Sequence, residues 1–271
     1  MTGSTHDWFD ARVLVTVKTY PTPSVRHKET VCVAGVRLDT PLPEWVRLYP
    51  IPFRTKEFDY EFKKYQVIDV PLRKRGSKDP RPESHQPNNE KITLGEVVKP
   101  SGNWKARRQL LGNLVGETST CELVAINRAT PMNKPAPSLG LIKPVDVRLS
   151  IQDGKEWTKP QQSKVDAAAA PDLFSDGAVK TPLEPAPYQI RARYKCLEGG
   201  CLGHNQTIID WEVGAAAYQW RRRYPESELA GRLLAKWEAM MDPGKDVHFF
   251  VGNQHQYRHS FSILGTWYPK L

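Results

Sequence analysis

This chain of 271 residues has no apolar run of the roughly eighteen residues that a membrane-spanning helix needs. Its opening stretch, MTGSTHDWFDARVLV, lacks a basic region followed by an apolar one, so no secretory signal peptide is predicted. Cysteine is scarce: four residues at irregular spacing do not make a secreted disulfide framework. These absences point to a cytoplasmic protein without membrane contact. There is no Gly-rich phosphate loop of the P-loop or dinucleotide type, which argues against a nucleotide-cofactor enzyme. Neither a metalloprotease HExxH nor a nucleophile elbow nor a kinase motif set occurs, and no internal repeat stands out.

Positive charge is plentiful. Lys and Arg number 39 against 30 Asp and Glu, a net charge of +9. The cations cluster at Arg73-Lys74-Arg75 with Lys78 and Arg81, at Lys105 with Arg107-Arg108, and at Arg221-Arg222-Arg223. Clustered cations gain affinity for polyanions by releasing counterions from phosphates, so nucleic acid is the first partner to consider. A generally basic enzyme is the plainer alternative. Eight Trp, ten Tyr and eight Phe add to the first view, because Trp45, Tyr49, Trp104, Trp211, Trp267 and Tyr268 sit close to Arg or Lys. Base-stacking surfaces use that mixture, although most aromatics fill cores.

Alternating hydrophobicity predicts strands at 12–18, 30–38, 44–49, 65–72, 91–98, 121–126, 145–151 and 188–195, and a pair at 247–251 and 260–268. Helical spacing predicts short helices at 55–64 and 103–114 and two longer ones at 206–224 and from 227 to about 241. The expected fold is therefore α+β, a largely antiparallel curved sheet or barrel with a few helices, two of them in the C-terminal third. Residues 1–151 form a β-rich, nucleic-acid-binding half. Residues 152–187, with an Ala run and many prolines, read as a long loop or linker. Residues 188–271 form a strand–knuckle–helix–helix–strand half that packs on the first. Nothing in the sequence fixes an oligomeric state.

Three constellations carry chemistry. The first is Cys196-x4-Cys201-x2-His204, a Gly-rich knuckle read as joining a strand to a helix. Two thiolates and an imidazole at that spacing suit structural zinc, but a closed site takes four ligands. The fourth would come from Cys32, Cys121, His85, His255 or His259. Two buried thiols beside a helix-start histidine would look the same. Beyond the knuckle come Asp210 and Glu212, expected about 200° apart around one helix and so unable to face one site. Asp210, nearer the buried stripe, is the better catalytic candidate, with a salt bridge as its alternative.

The second is the loop Lys78-Asp79-Pro80-Arg81-Pro82-Glu83-Ser84-His85, where prolines stiffen a chain that presents an acid, a base and a cation. Glu83 with His85 would act as general base and Arg81 would meet a phosphate; a solvated polar loop is the alternative. The third is Lys18-Thr19-Tyr20-Pro21-Thr22-Pro23-Ser24, where Lys18 and Ser24 would grip a phosphate and Tyr20 would stack on a base. It could equally be an ordinary hairpin turn.

The phrases VKTYPTPS (17–24), ETVCVAGV (29–36), EWVRLYPIPFR (44–54), KYQVIDV (64–70), RPESHQPN (81–88), IIDWE (208–212) and HFFVGN (248–253) span nearly the whole chain. Together they resemble an uncharacterised family of bacterial proteins from phage-defence loci. That resemblance extends to antiviral DNA glycosylases that excise hypermodified cytosines. It implies phage DNA with modified bases as the partner and an abasic site as the product, although helix-hairpin-helix and uracil-glycosylase signatures are absent. The expected catalytic acids are Asp210 and Glu83, with Asp69 in reserve. Lys18, Arg47, Arg54, Arg73 and Arg81 are expected at phosphates, with Tyr20, Ser24 and His85 also among the nucleic-acid-binding residues, and no cofactor is required beyond a structural zinc. A non-catalytic reader of modified DNA or RNA and a metal-dependent nuclease are the alternatives.

Overall fold

The computed structural model describes residues 7–24, 28–52, 62–169 and 182–271. The first part of the chain supplies β1 (Phe9–Lys18), β2 (Thr22–Ser24), β3 (Lys28–Arg37), β4 (Glu44–Pro52), β5 (Gln66–Lys74), β6 (Ser84–Pro87) and β7 (Thr93–Val97). Their order is β1-β3-β4-β6-β5-β7, with β2 on β3, and β1 also pairs with β5. That pairing closes β1, β3, β4, β6 and β5 into a five-stranded barrel, mixed because β4 and β6 run parallel.

The residues of β1 show how the barrel is built. Val13 and Val15 join Val33, Leu48, Ile68 and Leu72 in the core that fills it. Leu14 and Val17 join Val36, Phe250, Leu264 and Trp267 in a second core on its outer wall. Both faces of this strand are buried, which suits a run of stiff β-branched side chains. A register shift against β3 between Val15 and Val17 lets one odd-numbered side chain point inward and the next outward.

The second core belongs equally to a six-stranded sheet made of β8 (Leu139–Ile142), β9 (Pro144–Asp153), β10 (Tyr188–Cys196), β11 (His204–Ile208), β12 (His248–Gln254) and β13 (Tyr257–Trp267). Its order is β8-β12-β13-β11-β10-β9, antiparallel except between β11 and β13. Among the described residues, five α-helices accompany the sheets: α1 (Lys105–Leu111), α2 (Thr120–Ala129), α3 (Lys159–Ala169), α4 (Trp211–Trp220) and α5 (Glu226–Glu238). On α5, Leu229, Leu233 and Trp237 recur at helical spacing and pack on Ile190, Phe249 and Phe261 of the sheet. Truncating a buried side chain as large as Trp237 costs roughly 3–5 kcal/mol. The architecture is α+β, with α4 and α5 in the C-terminal third.

Four local expectations change. Residues 121–126 are not a strand but part of α2, because Ser119-Thr120-Cys121-Glu122 is a helix start: the Ser119 hydroxyl accepts a hydrogen bond from the Glu122 amide at 3.1 Å. Residues 206–224 are not one helix. Asn205 to Ile208 pair with β10 as β11, and α4 starts only after Asp210, its N-cap. Within 152–187, expected as a long loop or linker, the described residues include α3, and Val165 and Leu183 are buried. Finally, strands between residues 139 and 153 belong to the second sheet, so the first sheet ends at Val97, well before residue 151. The helix expected at 55–64 falls largely outside the described residues. Among the described residues, no helix is long and apolar enough to cross a membrane.

Candidate functional site

A cavity of about 530 Å³ opens where the barrel wall meets the second sheet. Its lining is strongly cationic: Arg47, Arg75, Lys78, Arg81 and Lys155 face it, against Asp79 and Asp210. Tyr20, Tyr49, Trp157 and Tyr188 add flat apolar walls. Clustered positive charge over low-dielectric walls focuses the field on an anionic ligand, and the rings offer faces for stacking.

Asp210 stands in this lining and is 2 % exposed. The β11–α4 junction puts it there. Backbone bonds from Ile209 to Ile263 (2.8 Å) and from Tyr20 to Ile209 (2.9 Å) hold the turn, and Oδ1 accepts the Glu212 amide at 3.1 Å as the helix cap. Oδ2 accepts from Lys64 Nζ at 2.6 Å, and Glu212 Oε2 lies 3.4 Å from the same ammonium. The two acids therefore meet at one cation, contrary to the expectation that they point apart. Their geometry differs because Asp210 precedes the helix instead of lying within it. Burial raises the Asp210 carboxyl above its usual value, opposed by Lys64. Burial lowers Lys64, but Asp210 and Glu212 more than offset that and raise it. Beside them, Tyr20 stacks on Trp211 at 5.7 Å, and its hydroxyl donates to the Glu184 carbonyl. Gly214 of α4 makes room for that ring, since a Cβ there would lie 2.2 Å from it. Lys18 lies over the Trp211 ring at 5.5 Å.

The proline loop is organised otherwise. Glu83 is buried and is not part of the cavity lining; its carboxylate accepts from the Ser138 amide at 2.8 Å and the Ser138 hydroxyl at 3.1 Å. Arg47 donates to the same Ser138 carbonyl and to Cys32 Sγ, so Arg47 and Glu83 stitch the barrel to the start of β8. His85 is buried away from the cavity, its Nδ1 2.9 Å from the Glu83 carbonyl and its ring against Phe9, and burial lowers its pKa. The expected Glu83–His85 general base is thus not formed. Arg81 reaches the cavity but grips Asp79 through two hydrogen bonds of 2.8 and 2.6 Å. Arg73 binds Gln86 and covers Trp8. Asp69 is an exposed partner of Arg12 at 3.6 Å and is not among the residues that line the cavity. Ser24 ends β2, and its side chain, like all of Arg54, lies outside the described residues.

A second centre lies at the far end of β11. Cys121, Cys196, Cys201 and His204 bring their ligand atoms within 4.8 Å of one another. His204 Nε2 is 3.3 Å from the sulfurs of Cys121 and Cys196 and 3.5 Å from that of Cys201. In a tetrahedral site, zinc–ligand bonds of about 2.3 Å to sulfur and 2.05 Å to nitrogen separate ligand atoms by about 3.6 Å. The four groups fit a metal-binding cluster. Burial lowers His204, keeping the neutral imidazole that ligates metals. His204 begins a strand rather than a helix, and the knuckle joins β10 to β11. Cys121, one of five sequence candidates for the fourth ligand, arrives from the first turn of α2.

Sequence reasoning missed Lys64, Asp79, Lys155 and Trp157. The last two sit in the supposed linker, and nothing local marks Lys64 as the partner of an acid 146 residues away. Residues 116–271, more than half of the chain, match the family described as Domain of unknown function (DUF8757). The chain belongs to that family. Residues 9–113 match a second, Domain of unknown function (DUF8758). The two matches divide the chain between the barrel sheet and the six-stranded sheet. No curated protein matches it.

Proposed function

We propose that this chain is a cytoplasmic enzyme of bacterial antiviral defence that takes one modified nucleotide of a DNA strand into the cavity and cleaves its N-glycosidic bond. The observation that carries this reading is Asp210, a buried carboxylate in a cavity lined by five cations and four aromatic rings. Extruded bases are held by stacking while cations hold the flanking strand. A carboxyl raised by its surroundings is suited to general-base work near neutral pH. Asp210 would take a proton from water as its oxygen bonds to C1′. The electrons of the broken C1′–N bond leave with the base, which is then protonated. Lys64 keeps the carboxylate in place. The cysteine–histidine cluster would hold a structural zinc that ties α2 to the β10–β11 hairpin, and through β11 supports the Asp210 turn.

Purified protein incubated with modified phage DNA should release the modified base, read by mass spectrometry, and leave alkali-labile sites; unmodified DNA should stay intact. Intact modified DNA overturns the reading. A second reading, a non-catalytic reader of modified DNA or RNA, is favoured by the Lys64–Asp210 pair, which occupies both acid oxygens with the N-cap bond. It predicts binding that falls with salt at a log–log slope of about −0.9 per phosphate contact on duplex DNA, and no base release. A metal-dependent nuclease is disfavoured because both cavity acids are paired with cations, Asp79 with Arg81 and Asp210 with Lys64. Strand cleavage that needs added magnesium would revive it.

A further inference from the structure

We infer that the corner of the cavity around Asp79 is a phosphate site, with Arg75 and Lys78 as the residues that bind the oxyanion. The inference rests on the nucleotide reading above for the source of the phosphate, not for the anion binding itself.

Asp79 is 3 % exposed and is surrounded by donors. Arg81 holds both of its oxygens, the Ser84 hydroxyl donates to Oδ2 at 2.7 Å, Arg75 Nη1 stands 3.9 Å from Oδ2, and His255 Nδ1 stands 3.7 Å from Oδ1. Arg81 is further fixed by donating to the Asn253 carbonyl at 2.8 Å. Asp79 and Arg81 therefore cancel one another and act as a rigid floor. Arg75 and Lys78 add two positive charges that no second carboxylate balances among the described residues. The Arg75 guanidinium lies over the Tyr49 ring at 4.9 Å, and its side chain makes no hydrogen bond among the described residues. Lys78 is exposed and pairs with no acid among the described residues. The turn between β12 and β13 brings His255 to the same corner, its buried Nδ1 turned towards Asp79 and without a hydrogen-bond partner among the described residues.

Arg75 and Lys78 line the same concave space, and a planar fork beside a point charge is a donor pair that suits a tetrahedral oxyanion. A protein carboxylate would use the fork alone. A nucleotide phosphate uses both while its base and sugar extend along the cavity past Tyr49 and Arg47 towards Asp210, all of which line the same space.

The test uses the full chain and calorimetric titration with inorganic phosphate, deoxycytidine, deoxycytidine 5′-monophosphate and a short single-stranded DNA. The monophosphate should bind at least about tenfold more tightly than the nucleoside, since its phosphate adds charge-assisted hydrogen bonds that the nucleoside lacks. Lys78→Gln, which disturbs no internal partner, and Arg75→Gln should each abolish most of that preference and leave nucleoside binding unchanged. Phosphate that competes with the monophosphate but not with the strand places the site at a terminal phosphate; competition with both places it at a backbone phosphodiester. Both results support the site. Equal binding of nucleoside and monophosphate, or a preference that survives both substitutions, overturns it. Phosphate binding without any base release leaves the site standing and sinks the excision reading. Base release with no phosphate preference sinks the site alone.

Discussion

The cysteine–histidine knuckle and the proline loop carry similar residue types in similarly short segments, yet the fold uses them differently. In the knuckle, four ligand atoms from α2 and the β10–β11 hairpin gather within 4.8 Å of one another, and no carboxylate joins them among the described residues. In the loop, Arg81, Glu83 and His85 are turned onto Asp79, Ser138 and a backbone carbonyl. What separates a site from a strut is therefore not the side chain but whether its polar atoms already have partners inside the protein. Asp210 lies between these cases, ion-paired yet lining the cavity.

The largest expected effect breaks the knuckle. Structural zinc contributes on the order of 10–16 kcal/mol in isolated zinc fingers, so Cys196→Ser should lose bound zinc and much of the folded stability. One zinc per wild-type chain by elemental analysis is expected; a metal-free protein melting at the same temperature as the variant would contradict the clamp. Next comes the loop. Glu83→Gln leaves a buried Ser138 donor poorly matched and should cost about 2–3 kcal/mol in denaturant unfolding. Base release per folded molecule should not change, and its loss without destabilisation would make Glu83 catalytic after all. A smaller effect is expected in acid. The hydrogen bonds and charge of Arg81, helped by Ser84, outweigh burial and hold Asp79 at about 2, below the ordinary 3.8. Its folded value lies below its unfolded one, so its contribution is complete above about pH 4 and is lost as pH falls towards 2. Asp79→Asn should flatten that part of the stability–pH curve. The smallest effect is at Asp69, half-exposed against Arg12, where Asp69→Asn should shift stability by no more than about 0.5 kcal/mol.

How legible this was depended on the range of the interactions. The barrel strands were readable because β1, β3, β4 and β5 carry their own alternation. The helix α2 was misread because a short apolar run looks the same in either period, and only Ser119 and Glu122 gave it away. The β11–α4 boundary was misread because only Ile209 separates the end of the strand at Ile208 from Asp210, which caps the helix. The cluster was three-quarters visible in Cys196, Cys201 and His204. Cys121 could not be singled out from the five candidates for the fourth ligand, and Lys64 and the Asp79 corner were not identifiable as partners, since each is brought in by tertiary packing that no local spacing records.

The central claim is that Asp210, in the cationic cavity, performs the chemistry. Asn is also a good helix N-cap, so Asp210→Asn keeps the turn while removing the charge. Breaking the buried pair with Lys64 is expected to cost about 3–5 kcal/mol, so folding is checked first by thermal melting. The decisive measurement counts alkali-labile sites formed in modified phage DNA by folded wild-type and Asp210→Asn protein at equal bound fraction. The account predicts that the variant binds the DNA and leaves it intact. Abasic sites formed by the variant at the wild-type rate would contradict it.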